Sequence, residues 1–349
     1  MALNNTVKNI IRVSAAGFLV VFLILRAGEA AQGIRASLSV CAMTIIPSML
    51  PMLVITSYIS FSGMLEKTER YFEKISRFLF RLPGKSLVIF IMSMTGGFPV
   101  GLKMTADALE RGELSRNQAQ RMSVFCIGGG PAFIINTVGF FMAGSQKAGI
   151  IILVSNIISS LITGIASRAF DSGDNLSEFN ASQKNIKNPL INSVESAIKT
   201  IINICGWIII FNAFESAVLS FEMPQKAEIW LKMLAEVTTG CAAAVKTYPL
   251  PLTAFVTGFC GLCVHCQVLP FLNKTGLPYR IFISVRSLNA AMAAAISHFL
   301  FSLFHCEISV FSFSGSITPV AWSVSFPASA AFLMTLSIII LDLAQKEKV

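Results

Sequence analysis

Long apolar segments alternate with short charged segments along almost the whole chain. A run of roughly 20 predominantly apolar residues is long enough to cross the hydrocarbon core of a bilayer as a helix. Eight segments are assigned to such helices, around residues 10–25, 36–65, 122–146, 148–167, 200–217, 259–271, 281–306 and 319–341. The pattern therefore predicts an all-α polytopic membrane protein with about eight transmembrane helices.

Two further apolar segments, residues 86–102 and 237–245, are shorter. Glycine and proline interrupt the first of them and also the span at 122–146, at Gly96, Gly97, Pro99, Gly101, Gly128, Gly129, Gly130 and Pro131. Broken helices are tolerated at membrane depth where the backbone is buried in protein or lines a wet cavity, which favours a transport site. The alternative is kinked spans whose glycines only allow close helix packing.

The basic residues indicate a topology. If Met1 is cytoplasmic and both short segments re-enter without crossing, six Lys and Arg residues face outwards: Arg26, Arg35, Lys147, Lys226, Lys232 and Lys246. The remaining Lys and Arg residues are then counted as cytoplasmic. A full crossing by residues 86–102 would place one of its basic flanks outside, against the positive-inside rule. We therefore predict two re-entrant segments, cytoplasmic N- and C-termini, and two halves that are inverted repeats.

The two halves also resemble each other in sequence, although weakly. The alignment pairs Thr200 with Thr44, and in the short segments Gly240 with Gly97 and Lys246 with Lys103. The predicted organisation is an anchor helix (1–35), a first repeat (36–167), a polar cytoplasmic linker (168–199), a second repeat (200–306), and a C-terminal helix and tail (307–349).

Local patterns predict two further features between residues 66 and 121. Apolar residues recur at helical spacing among basic ones, which is typical of an amphipathic helix lying in the membrane interface, at Tyr71, Ile75, Phe78 and Leu82. Ser115 and Gln118 have the spacing of a capping box, so a helix is expected to begin just after Ser115.

Composition supports the membrane assignment. Apolar residues make up 54% of the chain and charged residues 13%, and the mean hydropathy is +0.71. The net charge of +9 is carried by short loops between apolar runs, so we expect no nucleic-acid partner. The sequence has no nucleotide-binding, zinc-protease or serine-hydrolase motif, so we expect neither enzyme activity nor a cofactor.

The candidate solute-binding residues lie at the breaks and beside them. They are Gly96, Gly97, Pro99, Gly101, Lys103, Gly128, Gly129, Gly130, Pro131, Thr238, Thr239, Gly240, Lys246, His265 and Gln267. Lys103 and Lys246 end the two short segments, where they either attract an anion or extend to the interface as snorkelling lysines. His265 and Gln267 could form hydrogen bonds at the second glycine-marked break.

Three other sets of polar residues leave alternatives open. The run Cys260, Cys263, His265 and Cys266 has metal-ligand spacing, but eight cysteines scattered through membrane segments favour small residues packed in a span, and no metal is expected. Glu215 and Glu236 either couple to protons or lie at the outer interface. His298 is either a proton relay or a packed core residue.

Three segments resemble the nucleoside-recognition Gate domain: Ile46-PSMLPMLV-Ile55, Thr95-GGFPVGL-Lys103 and Phe125-CIGGGPAFI-Ile135. More narrowly, these segments and the second-half segments around Glu236 and Cys260 are similar to the sporulation integral membrane protein (YlbJ-type) family, and the resemblance covers about residues 38–303. The chain departs from the family after Cys126, where asparagines are common and this chain has Ile127 and Gly128.

The resemblance and the paired breaks together give the functional hypothesis. It is a secondary-type permease in the bacterial inner membrane that moves a small polar or anionic solute, dipicolinate- or nucleoside-like, during spore formation. The expected partners are the lipid bilayer and the solute, and a homo-oligomer or other membrane subunits stay open. The alternatives are a structural or assembly protein of a sporulation membrane and a metal or redox protein built on the cysteine run.

Overall fold

The structure is a computed structural model that describes residues 19–171 and 188–304, together with Ser14 and Gly17. Within these residues the fold is entirely helical. The predicted span at 319–341, the charged tail, the first part of the span at 10–25 and half of the linker at 168–199 (residues 172–187) lie outside the described residues.

Five helices in the described part of the chain are long and apolar enough to cross a membrane. They are α1 (Ala27–Phe61), α7 (Gln146–Ala166), α8 (Pro189–Leu219), the broken helix α11–α12 (Leu250–Thr275) and α13 (Tyr279–Leu303). The intervening helices are α2 (Met64–Phe80), α3 (Gly84–Gly96), α4 (Phe98–Glu110), α5 (Arg116–Phe125), the π-helical α6 (Ala132–Met142), α9 (Gln225–Ala235) and α10 (Val237–Thr247). Within the broken helix, α11 is Leu250–Phe259 and α12 is Gly261–Thr275.

Two pairs of short helices form helical hairpins. Helix α4 folds back on α3, so that a Cβ added to Gly101 would clash with Ser93. Helix α10 folds back on α9, so that a Cβ added to Gly240 would come within 2.7 Å of the Met233 Cα. The two segments predicted to re-enter therefore each belong to a hairpin, although the second hairpin also contains α9, which the sequence did not assign to it.

The amphipathic helix is present as α2, and a sharp bend of 84° separates it from α3. Tyr71 and Phe78 are 83% and 78% exposed, and Ile75 is also exposed, so these side chains form an apolar outer face. The assignment of Leu82 to this face is wrong, because α2 ends at Phe80 and Leu82 is fully buried in the core beyond it. A residue outside the helix no longer follows its periodicity.

Helix α1 begins earlier than the apolar run, because it continues through Arg35 to Ala27. Its hydrogen bonding widens to a π-helical turn at Cys41–Ile45, just before Pro47. Proline lacks a backbone N–H and crowds the preceding turn, and a π-helical turn is one way for a helix to absorb that irregularity. Helix α1 then packs along α8 for most of its length.

Polar contacts join the long helices. Asn156 on α7 donates to the Thr257 hydroxyl at 2.9 Å, and Asn289 on α13 donates to the Thr163 hydroxyl at 3.0 Å. Ser159 of α7 also donates to the Asn289 carbonyl at 2.7 Å. Interhelical hydrogen bonds of this kind stabilise packing where lipid gives no hydrophobic driving force between helices.

Candidate functional site

The turn of the first hairpin lies against the break between α5 and α6. Gly97 forms this turn with φ at +92°, a conformation that side chains other than glycine rarely adopt. A Cβ added to Gly130 would lie 3.0 Å from the Thr95 carbonyl oxygen and 3.3 Å from the Gly97 nitrogen. The capping box at Ser115 and Gln118 is confirmed and starts α5, whose helical hydrogen bonding ends at Cys126. Two predicted breaks therefore meet backbone to backbone.

The second hairpin repeats this arrangement against the break in α11–α12. Glu236 forms its turn, and the broken helix is interrupted at Cys260 and Gly261, which both have positive φ (77° and 68°). A Cβ added to Gly261 would lie 3.1 Å from the Val237 nitrogen and 3.2 Å from the Ala235 carbonyl oxygen. The glycine that the sequence paired with Gly97, Gly240, is instead inside α10 and allows the two arms to pack.

Arg286 of α13 connects the two pairs of breaks. Its Nη1 donates to the Ile127 carbonyl oxygen at 3.2 Å, and its Nη2 donates to the Gly258 carbonyl oxygen. The side chain is 1% exposed, so counting Arg286 among the cytoplasmic basic residues was wrong. The signal was available in the sequence, because Arg286 is the one Lys, Arg, Asp or Glu residue in the stretch 281–306.

Two buried carboxylates lie near the start of α10. Glu236 is 2% exposed and caps the helix by accepting hydrogen bonds from the Thr238 and Thr239 amides at 2.9 and 2.8 Å. Glu215 of α8 accepts a hydrogen bond from the Thr239 hydroxyl at 3.0 Å. The sequence left open whether these residues couple to protons or lie at the outer interface. Both carboxylates are buried in the described conformation, so neither lies at an exposed interface.

The cysteine run does not converge on one point. Cys260 contacts the Arg286 guanidinium at 3.1 Å, and Gln267 donates to the Cys263 sulfur at 3.4 Å. The two ring nitrogens of His265 contact the Tyr279 hydroxyl and the Phe259 carbonyl oxygen, at 3.1 and 2.9 Å. Within the described residues, no group of three His, Cys, Asp or Glu side chains is arranged to hold a metal ion.

The two lysines that end the short segments have different surroundings. Lys103 is 5% exposed and contacts the Ser57 hydroxyl at 2.9 Å and the Asp107 carboxylate at 3.3 Å. Lys246 is exposed at the end of α10. Lys103 therefore does not lie at an open mouth in this conformation, whereas Lys246 is free to meet a solute or the interface.

The structure thus brings most of the predicted residues into one region, which we call the break junction. It comprises the turns and breaks at Gly97, Gly130, Glu236 and Gly261, together with Arg286. The other glycines of the first two breaks are buried beside it, and Phe98, Ile127, Val237 and Cys260 share one apolar cluster around it. Helices α4, α6, α10 and α12 begin at these interruptions, and α3, α5, α9 and α11 end there.

The chain is similar to the sporulation integral membrane protein YlbJ of Bacillus subtilis (strain 168). The two are 24% identical over 306 residues, and the match covers 74% of each chain. No family model matches the chain, and no solved structure shows significant similarity to it. This similarity and the apolar helices indicate a multi-pass integral membrane protein with a relative named for sporulation.

Proposed function

We propose that this protein is a secondary-type membrane transporter for a small polar or anionic solute, with a role linked to spore formation. The solute binds at the break junction, between the two hairpins and the interrupted helices. No ATP-hydrolysing or other enzymatic activity is part of this proposal.

The observation that carries the proposal is the convergence of four helix interruptions in the interior of the helical bundle. Each interruption frees backbone N–H and C=O groups that an intact helix would satisfy internally. Discontinuous helices in a membrane protein commonly surround a solute or ion, whose polar groups interact with the freed helix ends. Close packing of helices within a membrane needs small residues at the helix contacts, but it does not need four helix interruptions in one place.

The pairing of interruptions also supports the finer architecture that we propose. Each half contains one hairpin, turning at Gly97 or Glu236, and one broken helix, interrupted near Gly130 or Gly261. The positive-inside rule favours the cytoplasm for the basic flanks of the first hairpin. If both hairpins re-enter without crossing, equivalent helices of the two halves cross the membrane in opposite directions, which makes the halves inverted repeats. We extend the proposal to a Gate-type organisation, cytoplasmic termini and alternating access between the two hairpins.

The name of the B. subtilis relative supports a link to sporulation. For the cargo we propose a compact polar or anionic molecule of the dipicolinate or nucleoside kind. A homo-oligomer or further membrane subunits remain part of the hypothesis.

A flux assay in proteoliposomes tests the proposal. Purified protein is reconstituted, and uptake of labelled dipicolinate and of labelled uridine is compared with that of protein-free vesicles. Gly130→Leu, which places bulk against Thr95 and Gly97, should abolish uptake. Gly206→Leu is the matched control, because a Cβ added at Gly206 meets no atom within 4 Å. Absence of flux for both probes with folded protein would contradict the proposal.

A non-transporting structural or assembly role is the second candidate. It is favoured by the fact that side chains of the protein itself satisfy part of the junction, since Glu236 caps α10 and Arg286 binds two freed carbonyls. In that case Gly130→Leu would impair sporulation only by lowering the amount or assembly of the protein. Normal abundance with lost function in the spore-forming host would instead favour transport.

A further inference from the structure

The guanidinium of Arg286 lies between the C-terminal ends of two helices. Gly258 is in the last turn of α11, where the final four carbonyls have no partner within the helix. Ile127 lies two residues beyond Phe125, the last residue of α5, in the non-helical break. The two carbonyls that accept from Arg286 therefore belong to the last turn of α11 and to the break that follows α5, in different halves of the chain.

These helix ends provide the negative charge that Arg286 meets. A helix C-terminus carries a partial charge of about −0.5 elementary charge, which α11 presents at Gly258, and the Ile127 carbonyl adds its own dipole from the break after α5. The sulfur of Cys260, at 3.1 Å from Nη2, adds a third acceptor. A guanidinium suits this position because its planar fork directs several N–H groups at once.

No carboxylate in the described part of the chain pairs with this buried cation. None of the ion pairs among the described residues involves Arg286. The Nε atom is buried without a hydrogen-bond partner. A buried charge is costly unless it is compensated, and here the guanidinium donates to uncharged acceptors at or beside the helix breaks.

We propose that Arg286 is a built-in cation: a positioning residue that occupies a place where helix ends would otherwise attract a free cation. In transporters with broken helices, unwound carbonyls and helix C-termini coordinate a coupling ion. In this protein the guanidinium of Arg286 takes the place of that ion. It thereby fixes the α5–α6 break of the first half to the α11–α12 break of the second. The inference does not depend on transport, because it concerns the cohesion of the junction itself.

Chemical rescue of Arg286→Ala is the experiment. The substitution removes the cation and leaves space for a small one, so the Tm of the detergent-purified protein should fall by roughly 5–10 °C. Guanidinium chloride at low millimolar concentration should restore a large part of that loss. Urea at the same concentration and ionic strength is the matched control, because it has a similar planar shape but no charge, and it should restore nothing.

Thiol labelling gives a local readout of the same variant. Cys126 lies in the α5–α6 break and is fully buried, and Cys41 is buried on α1 beside Cys205. With the other cysteines replaced by alanine, except the fully buried Cys260 that contacts Arg286, Arg286→Ala should raise maleimide labelling of Cys126 several-fold and leave that of Cys41 unchanged. Guanidinium should reverse the increase at Cys126.

Two further variants keep the inference open to refutation if Arg286→Ala fails to fold. Arg286→Lys retains the charge but cannot reach both carbonyls at once, so it should be less stable than wild type and more stable than Arg286→Met. Equal stability of the Lys and Met variants would overturn the proposal, as would rescue of Arg286→Ala by urea as strong as that by guanidinium. Unchanged Tm and labelling in Arg286→Ala would also overturn it.

Discussion

The carboxylate of Glu236 accepts a hydrogen bond from the amide nitrogen of Thr239 at 2.8 Å, across the first turn of α10. The same oxygen also accepts from the Thr238 amide. Negative charge at a helix N-terminus is stabilised both by these bonds and by the helix dipole. Glu236 thus holds the turn of the second hairpin where α10 begins.

We therefore expect Glu236→Ala to lower the stability of the protein by about 0.5–2 kcal/mol, because it removes an N-cap. Glu236→Gln should lose less, since its amide oxygen can still accept both hydrogen bonds. Glu228→Ala is the control on the same hairpin, because Glu228 forms a partly exposed pair with Lys232 that contributes little. Thermal unfolding in detergent measures all three. Equal losses for the Ala variants at positions 228 and 236 would refute the capping role.

Bulk should not be tolerated at the first two breaks. Gly97→Leu requires a left-handed backbone, and Gly130→Leu places a side chain against the Thr95 carbonyl. Gly129→Leu meets the side chains of Ile134 and Phe98. Each variant should lose transport or the sporulation phenotype while its membrane insertion, checked by fractionation, is retained. Full function in all three would assign these glycines to ordinary packing.

The topology makes a labelling prediction. Single cysteines at Arg77 and Glu110, both exposed, should react with an impermeant maleimide from the same, cytoplasmic side. A cysteine at the exposed Lys147 should react from the opposite side and serves as the control for vesicle orientation. Labelling of positions 77 and 110 from opposite sides would exclude a re-entrant first hairpin, and with it the inverted repeat.

Arg121 should be more important for stability than its ion pair suggests. It pairs with Asp171 at 3.0 Å, but it also donates to the carbonyl oxygens of Phe80 and Ser167, at the ends of α2 and α7. Arg121→Met should therefore cost about 3 kcal/mol or more, whereas Asp171→Asn should cost about 1 kcal/mol or less. Similar losses of Tm in the two variants would show that the ion pair dominates.

The sign of the cargo can be tested at Lys246. If the solute is an anion, Lys246→Gln should slow its uptake several-fold at low salt, since one exposed charge contributes on the order of 1 kcal/mol. The effect should shrink near 0.1 M salt, where screening acts over about 10 Å. The uptake rate of a neutral nucleoside should not change in the Lys246→Gln variant. Lys103→Gln is not an equivalent test, because it also breaks the contact with Asp107. If the variant and the wild type take up dipicolinate at the same rate at every salt concentration, Lys246 acts only as an interfacial anchor.

Some features of the fold follow from local sequence, and these could be predicted. Apolar runs separated by charged loops predicted α7, α13 and the later parts of α1 and α8, although α1 and α8 begin before their apolar runs, and α8 includes residues 189–199 that were assigned to the linker. The spacing of Ser115 and Gln118 predicted the start of α5. The glycines at 97 and 128–130 predicted two breaks, because glycine and proline act on the backbone within a few residues. Such signals lie within one or two helical turns, so a linear pattern is enough to reveal them.

Other features depend on residues far apart in the chain, and only the tertiary structure decided them. The sequence marked Gly97 and Gly130 separately but could not show that their backbones meet, nor that Glu236, instead of Gly240, turns the second hairpin. It placed Arg286 among cytoplasmic charges, although that side chain reaches carbonyls 28 and 159 residues away along the chain. The physical reason is that composition and periodicity fix which segments enter the bilayer, whereas the partners of a buried charge are set by how those segments pack.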